Sequence, residues 1–303
     1  MIRAYTNGAP DQELETISFE QAVERFFCLY GEKAIGLLIN FQFYGTRAAD
    51  GKDMFTRAVE CFAALDVPVI RPVGLGRKPC AQWQAEARPY AAELANNFLS
   101  PELQGMIEPV HVSCAGDGRS HQPVAERVER LADRVQSWLE LRRRPNGEKR
   151  VAIMLHNAPC SGVEATVGLA TDLDAFESAV ALLRRLQAEG YRVEGIPADG
   201  RALKDLIFEK KAFSDFRWTA AEDIAASGGV LYAMDGAEYE RYYDTISPAA
   251  KAQMEQTWGP APGEAMVLEG KLLITGISFG NAAVMVQPKR GCYGAKCTGE
   301  VCK

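Results

Sequence analysis

The sequence predicts an α/β fold, with two consecutive Rossmann-like or flavodoxin-like domains and mostly parallel sheets. Two observations predict it. Short apolar runs alternate with amphipathic helical stretches, the rhythm of strand, helix and parallel strand. That rhythm then restarts after PNGEK at 145–149, which breaks a long helix. A chain of 303 residues suits two domains of about 150. We expect the first over 1–146, incomplete at its N-terminal side, and the second over 147–303.

In the first half, SFEQAVERFFCLY opens with Ser18 and carries Gln21 three residues on, a capping box for a helix that Gly31 stops. AIGLLINF (34–41) is a buried strand, KDMFTRAVECFAAL a helix with apolar residues at helical spacing, and VPVIRPV (67–73) a strand. CAQWQAEARPYAAELANN is helical with an interruption at Pro89, and MIEPVHVS (106–113) is a strand. CAGDGRSHQP is irregular. VAERVERLADRVQSWLELRRR is the clearest helix, and its basic end suits the C-terminal dipole.

In the second half, RVAIMLHN is a buried strand, followed by a loop holding Gly162 and Gly168. LDAFESAVALLRRLQAEG is a helix and YRVEGIP a second strand, making one right-handed βαβ unit. GGVLYAMD is a strand, a Tyr-rich helix (Tyr239, Tyr242, Tyr243) and SPAAKAQMEQTWGPAPG follow, and MVLEGKLLITGISFGNAAVMVQP supplies two or three adjacent strands.

Composition narrows the function. With 47% apolar and 24% charged residues the balance is that of a globular protein. A net charge of −6 argues against nucleic acid as a partner. No apolar run approaches the roughly 18–20 residues of a membrane span, and MIRAYTNGAPDQELET lacks the apolar core of a signal peptide. The expected location is the cytoplasm. Cys28, Cys61, Cys80, Cys114 and Cys160 are scattered and form no dense disulfide framework.

The chemistry-bearing residues gather at strand ends. LHNAP places His156 and Asn157 where a strand of the second domain ends, the edge at which open α/β sheets bind ligands. His156 can serve as general base, metal ligand or axial ligand, or simply hydrogen-bond locally. FGNAAVMVQPKRG gives a strand entered by Asn281 that leaves through Gln287, Lys289 and Arg290, a polar and basic exit suited to an anion. Trp258 and the tyrosines can stack on a flat ligand, although aromatics at helical spacing also build cores. Arg142, Arg143, Arg144, Lys149 and Arg150 form a basic run that suits a solvated helix end. Cys292, Cys297 and Cys302 have the spacing C-x4-C-x4-C, unlike a zinc ribbon or ferredoxin, and are weak metal candidates beside a reduced-thiol tail. No GxGxxG or GxxxxGK[ST] occurs, so no ATP-hydrolysing phosphate loop is present.

KRVAIMLHNAP, GLATDLDAFESAVALLRRLQAEGYRV, TWGPAPG and FGNAAVMVQPKRG, in that order, resemble the large tetrapyrrole-binding subunit of cobaltochelatase and, more distantly, its magnesium-chelatase counterpart. LDVPVIRPV, Trp83 and MIEPV are weaker matches upstream. The sequence departs from the pattern at HNAPC, where alanine replaces an aromatic residue, at SGVEATV, and in the cysteine-rich CYGAKCTGEVC. The resemblance implies an internal or truncated piece of a chelatase in cobalamin biosynthesis, inactive alone. It would bind a tetrapyrrole like hydrogenobyrinic acid a,c-diamide. Cobalt, or magnesium, is then the inserted metal, no cofactor is bound by the chain itself, and ATP is used by AAA+ ATPase partner subunits. Arg290 and Lys289 would pair with substrate carboxylates, while Asn157, Asn281 and Gln287 meet side-chain amides. Trp258 would pack the ring, and His156 would be catalytic, accepting a pyrrole proton or escorting the metal. A non-catalytic interaction module and a metal or redox protein built on the C-terminal cysteines remain the alternatives.

Overall fold

The computed structural model describes residues 3–5, 16–18, 21, 23–29, 32–41, 54–86, 91–116, 120–158, 166–214, 219–263 and 265–288. The chain divides into two compact units, Met1–Arg144 and Pro145–Lys303.

In the first unit, β1 (Arg3–Tyr5) pairs in parallel with β2 (Thr16–Ser18), and β3 (Cys28–Leu29) pairs antiparallel with β4 (Glu32–Lys33). Ser18 therefore stands in a strand and caps no helix. The helix expected over 18–30 narrows to a π-turn at Val23–Phe27. The main sheet runs β5 (Leu38–Ile39), β6 (Val69–Pro79), β7 (Ile107–Ala115) and β8 (His121–Pro123), with the first three parallel and β8 antiparallel to β7. β8 lies in the stretch expected to be irregular.

Alternation along β6 explains how this sheet is covered. Val69 joins Ala58 and Phe62 of α1 (Met54–Leu65), whereas the next residue, Ile70, joins Leu131 of the long helix at Ala125–Arg143. Neighbouring strand residues point to opposite faces, so a helix covers each side. Between β6 and β7 lie α2 (Cys80–Ala85), α3 (Ala91–Leu94), a π-turn at Ala95–Leu99 and α4 (Ser100–Leu103); the long helix is α5. A disulfide joins Cys80 to Cys114, with 5.1 Å between their Cα atoms.

In the second unit, β9 (Val151–Leu155) pairs in parallel with β14 (Ala282–Val286), and β13 (Ile277–Phe279) runs antiparallel on the far side of β14. Ala282, Val284 and Val286 alternate inward and pack against Val180 and Leu183 of α6 (Ala175–Ala188) and Leu203 and Ile207 of α7 (Gly200–Glu209). Both helices start on an aspartate: Asp174 accepts from Phe176 N and Glu177 N, and Asp199 from Ala202 N. A second, antiparallel sheet of β10 (Val230–Met234), β11 (Val267–Leu268) and β12 (Lys271–Thr275) packs on α8 (Ala221–Ser227). Two further helices are α9 (Gly236–Tyr243) and α10 (Pro248–Trp258).

The fold class is thus α/β, with parallel ladders at β5–β6–β7 and at β9–β14. The mostly parallel character belongs to the first unit's main sheet; the second unit adds antiparallel neighbours to one parallel pair. YRVEGIP forms no assigned strand. It makes two backbone bonds to the β13–β14 hairpin, Asn281 N to Arg192 O at 2.7 Å and Glu194 N to Phe279 O at 3.3 Å. Gly195, at φ +68°, then turns the chain out of extended geometry.

Candidate functional site

The parallel register of β9 and β14 runs Ala282 to Val151 through Val286 to Leu155. The ladder closes with Gln287 N donating to Leu155 O at 2.9 Å. His156 and Asn157 therefore leave β9 at the edge where Gln287 leaves β14. Here lies the carboxyl end of the parallel pair, the edge at which open α/β sheets bind ligands.

Local bonds fix this edge. Gly168 N donates to His156 O at 2.8 Å, folding the 166–168 turn back onto the strand end. Asn157 is 3% exposed, and its Oδ1 accepts from Thr166 Oγ1 at 2.5 Å. The buried amide anchors the turn, while the His156 ring is exposed and Gln287 half-buried. An exposed imidazole on a rigid strand end can take a proton or meet a metal ion. A half-buried carboxamide beside it offers one donor group and one acceptor.

The other predicted residues are placed differently. Asn281 sits at the opposite end of β14, about 20 Å of strand from Gln287 at 3.3–3.4 Å per residue. Its Nδ2 donates to Gly147 O at 2.8 Å, and its backbone bonds Val151 and Arg192. Gly280 before it has φ +74°, and a Cβ there would stand 2.7 Å from Arg192 O. Phe-Gly-Asn is therefore a tight structural entry to the strand. The Trp258 side chain, Lys289, Arg290, Cys292, Cys297 and Cys302 lie outside the described residues. Among the described residues no group of three or more His, Cys, Asp or Glu can hold a metal ion.

The tyrosines are not core. No residue of α9 is buried; Tyr239 and Tyr243 stack at 5.8 Å, and Lys251 Nζ lies 4.7 Å from the Tyr243 ring centre. Tyr243 OH donates to Glu255 at 2.7 Å, which pushes the phenol pKa up to about 12.

The family model for CobN/Magnesium Chelatase matches residues 2–298. The chain belongs to this family. An uncharacterized protein of Methanocaldococcus jannaschii is 35% identical over 316 residues, covering 100% of the chain and 26% of that protein. The aerobic cobaltochelatase subunit CobN of Pseudomonas aeruginosa is 29% identical over 238 residues, 75% of the chain and 18% of the relative. Among solved structures, the catalytic subunit of cobaltochelatase from Mycobacterium tuberculosis matches with TM-score 0.61 and 29% identity, over 77% of the chain and 19% of that subunit. The chain thus spans about a quarter or less of the length of these relatives.

This CobN/magnesium-chelatase chain also carries side chains that sequence reasoning passed over. Lys78 is 8% exposed and donates to Glu86 at 2.6 Å and Glu93 at 3.0 Å. The Glu86 bond raises its pKa; burial opposes this and Glu93 adds to it. His111 lies between the Trp83 and Phe98 rings, at 5.3 and 5.8 Å. Burial lowers its pKa, and among the described residues its buried Nδ1 finds no hydrogen-bond partner. A lysine beside Pro-Cys after a glycine pair, in GLGRKPC, was the one available signal.

Proposed function

We propose that the chain contributes a tetrapyrrole-binding edge to the large subunit of a metal chelatase. The observation that carries this reading is the shared carboxyl end of β9 and β14, which brings together His156, Asn157 and Gln287. The next residues in sequence are Lys289 and Arg290. We assign them to substrate carboxylates, which arginine can grip through two parallel N–H bonds. Gln287 takes a side-chain amide, and Trp258 packs the ring. Asn157 holds the His156 loop, and Asn281 holds the far end of the strand.

Metal insertion replaces two pyrrole N–H bonds with metal–nitrogen bonds and releases two protons. His156 accepts one of them at an exposed ring nitrogen. The substrate is of the hydrogenobyrinic acid a,c-diamide type, on the route to cobalamin, with cobalt as the inserted ion. Nitrogen–metal ligation is driven by AAA+ ATPase partners in the cytoplasm, since this chain has no phosphate loop of its own.

Titrating the chain with a metal-free tetrapyrrole shifts the pigment's absorption band. Arg290→Ala weakens binding about tenfold, the loss expected for one charge-assisted contact. Unchanged affinity removes Arg290 from the site, and an unshifted band in the parent chain removes the binding edge itself. His156→Ala in the full-length subunit leaves affinity within about twofold and abolishes insertion when ATPase partners are added. Supplying cobalt with a corrin-type ring, against magnesium with a porphyrin, decides the metal.

A further inference from the structure

The first unit holds a cluster of cysteine, lysine, histidine and tryptophan side chains outside the proposed tetrapyrrole-binding edge. The parallel register of β6 and β7 ends with Pro79 opposite Ala115. Cys80 and Cys114 consequently meet, across a sequence separation of 34, and are joined as a disulfide. Cys114 is 1% exposed within the sheet, while Cys80 is half-buried at the first position of α2. Cys80 is therefore the more exposed residue of the pair.

α2 is short and shallowly packed. It has six residues, buries none of them, and has no side-chain cap at its N-terminus. Among the described residues its side-chain contacts are polar or aromatic: Lys78 and Gln82 with Glu86, Trp83 at 5.3 Å from His111, and Arg127 at 5.9 Å from the Trp83 ring. Cys80 and Trp83 are three apart, so they share one face of the helix. A bond at Cys80 sets Trp83 against His111.

We propose that Cys80 and Cys114 form a reversible dithiol–disulfide couple, reduced by an external dithiol, whose state decides whether α2 is docked on β7. The reductant's thiolate attacks Sγ of Cys80, the more exposed residue. The Cys80–Cys114 bond breaks, Cys114 leaves as a thiolate and takes up a proton, and a mixed disulfide joins Cys80 to the reductant. The reductant's second thiol then displaces Cys80, which is protonated in turn, and the reductant closes its own disulfide. Two electrons pass to the protein pair. Released from β7, α2 withdraws Trp83 and opens the half-buried His111 ring to water. The couple goes beyond the chelatase reading and stands without it.

The test uses the folded 303-residue chain, treated with diamide or with dithiothreitol. Free thiols are blocked with a light alkylating label. Disulfides are then reduced and given a heavy label before peptide mapping. Cys80 and Cys114 are expected to carry heavy label together after diamide and light label after dithiothreitol, separately from the tail cysteines. Tryptophan fluorescence rises on reduction, because the disulfide one turn away quenches Trp83, and Trp83→Phe removes that rise. Cys114→Ser abolishes both the linked peptide and the fluorescence change; should this buried variant fail to fold, Cys80→Ser at the half-exposed position replaces it. Pairing of either cysteine with another partner overturns the proposal. So does a Cys80–Cys114 bond that dithiothreitol reduces only after unfolding, since it would then be a fixed staple.

Discussion

At the scale of single residues, the candidate site shows how differently two asparagines from similar motifs are used. Asn157 and Asn281 both sit beside a buried strand in the sequence, and both looked equally available to a ligand. Asn157 is spent on Thr166 and stabilises the loop that presents His156; Asn281 is spent on Gly147 at the other end of the sheet. Sequence order gave no hint of the second bond, because its partner lies 134 residues away. The tyrosines teach a related lesson. Their helical spacing fits a core, yet their rings stack on one another at the surface, and the hydroxyl of Tyr243 is committed to Glu255. The carboxylate accepts the phenolic proton's hydrogen bond and repels the phenolate, so Tyr243 ionises only near pH 12. Glu255→Gln removes the charge. We expect Tyr243 to titrate closer to the usual tyrosine range, read as phenolate absorbance near 295 nm. A titration curve identical to the parent's would show that Glu255 does not govern the shift.

At the scale of elements, α5 was the clearest helix in the sequence and is the best explained in the structure. Buried Leu131 and half-buried Val135 and Trp138 make its apolar stripe, at spacings of four and three. A polar contact adds register: Trp138 Nε1 donates to Glu108 at 2.9 Å on β7, and Arg134 grips the same carboxylate. The Arg134 bond holds the Glu108 carboxyl below its ordinary pKa, against the opposing effect of burial. A carboxylate depressed in the folded state stabilises above its unfolded pKa and loses that contribution as pH falls through the folded value. Glu108→Gln is expected to cost about 1 kcal/mol at pH 7, a modest figure because Arg134 is half exposed and screened. In urea melts the difference narrows as the medium is taken below about pH 4. A gap of constant size from pH 7 to pH 3 would assign the loss to packing alone. Long apolar periodicities such as α5, α1 and α6 were legible because burial writes itself into spacing. The strand expected at YRVEGIP was not formed, because Gly195 leaves extended geometry after two bonds, and no spacing rule forecasts that. β8 was missed for the opposite reason: its residues are exposed and polar, and only pairing with β7 makes them a strand.

At the scale of the whole molecule, the site edge was legible and its chemistry only partly so. VAIML and AAVMV are continuous apolar runs, and such runs suit strands packed within a sheet, so His156 and Gln287 were recognisable as strand-end residues. That the two strands are neighbours, in parallel and in register, required the fold. The Cys80–Cys114 pairing likewise needed the β6–β7 register, since scattered cysteines do not announce partners. The place where the chain divides follows from the same kind of closure. Asn146 donates to Glu189 O at 2.7 Å, Gly147 O accepts from Asn281, and Val151 N donates to Asn281 O at 2.9 Å. Residues 146 and 147 are therefore bonded to the second unit, and a cut between them severs neither its sheet nor its core but strips the Asn146 tether. The second unit's principal core is assembled from residues 155–286, and its parallel ladder closes through β9 and β14. A polypeptide of residues 145–303 should accordingly fold alone, with a single cooperative urea transition and dispersed amide resonances. One beginning at residue 148 keeps the core but loses the Asn146 and Gly147 bonds, and should unfold at lower urea by about 1–2 kcal/mol. A collapsed spectrum for the longer polypeptide would show that the second unit needs the first to fold. Equal stability of the two would show that the 146–147 bonds contribute nothing, leaving the boundary to be set by the β9 ladder itself.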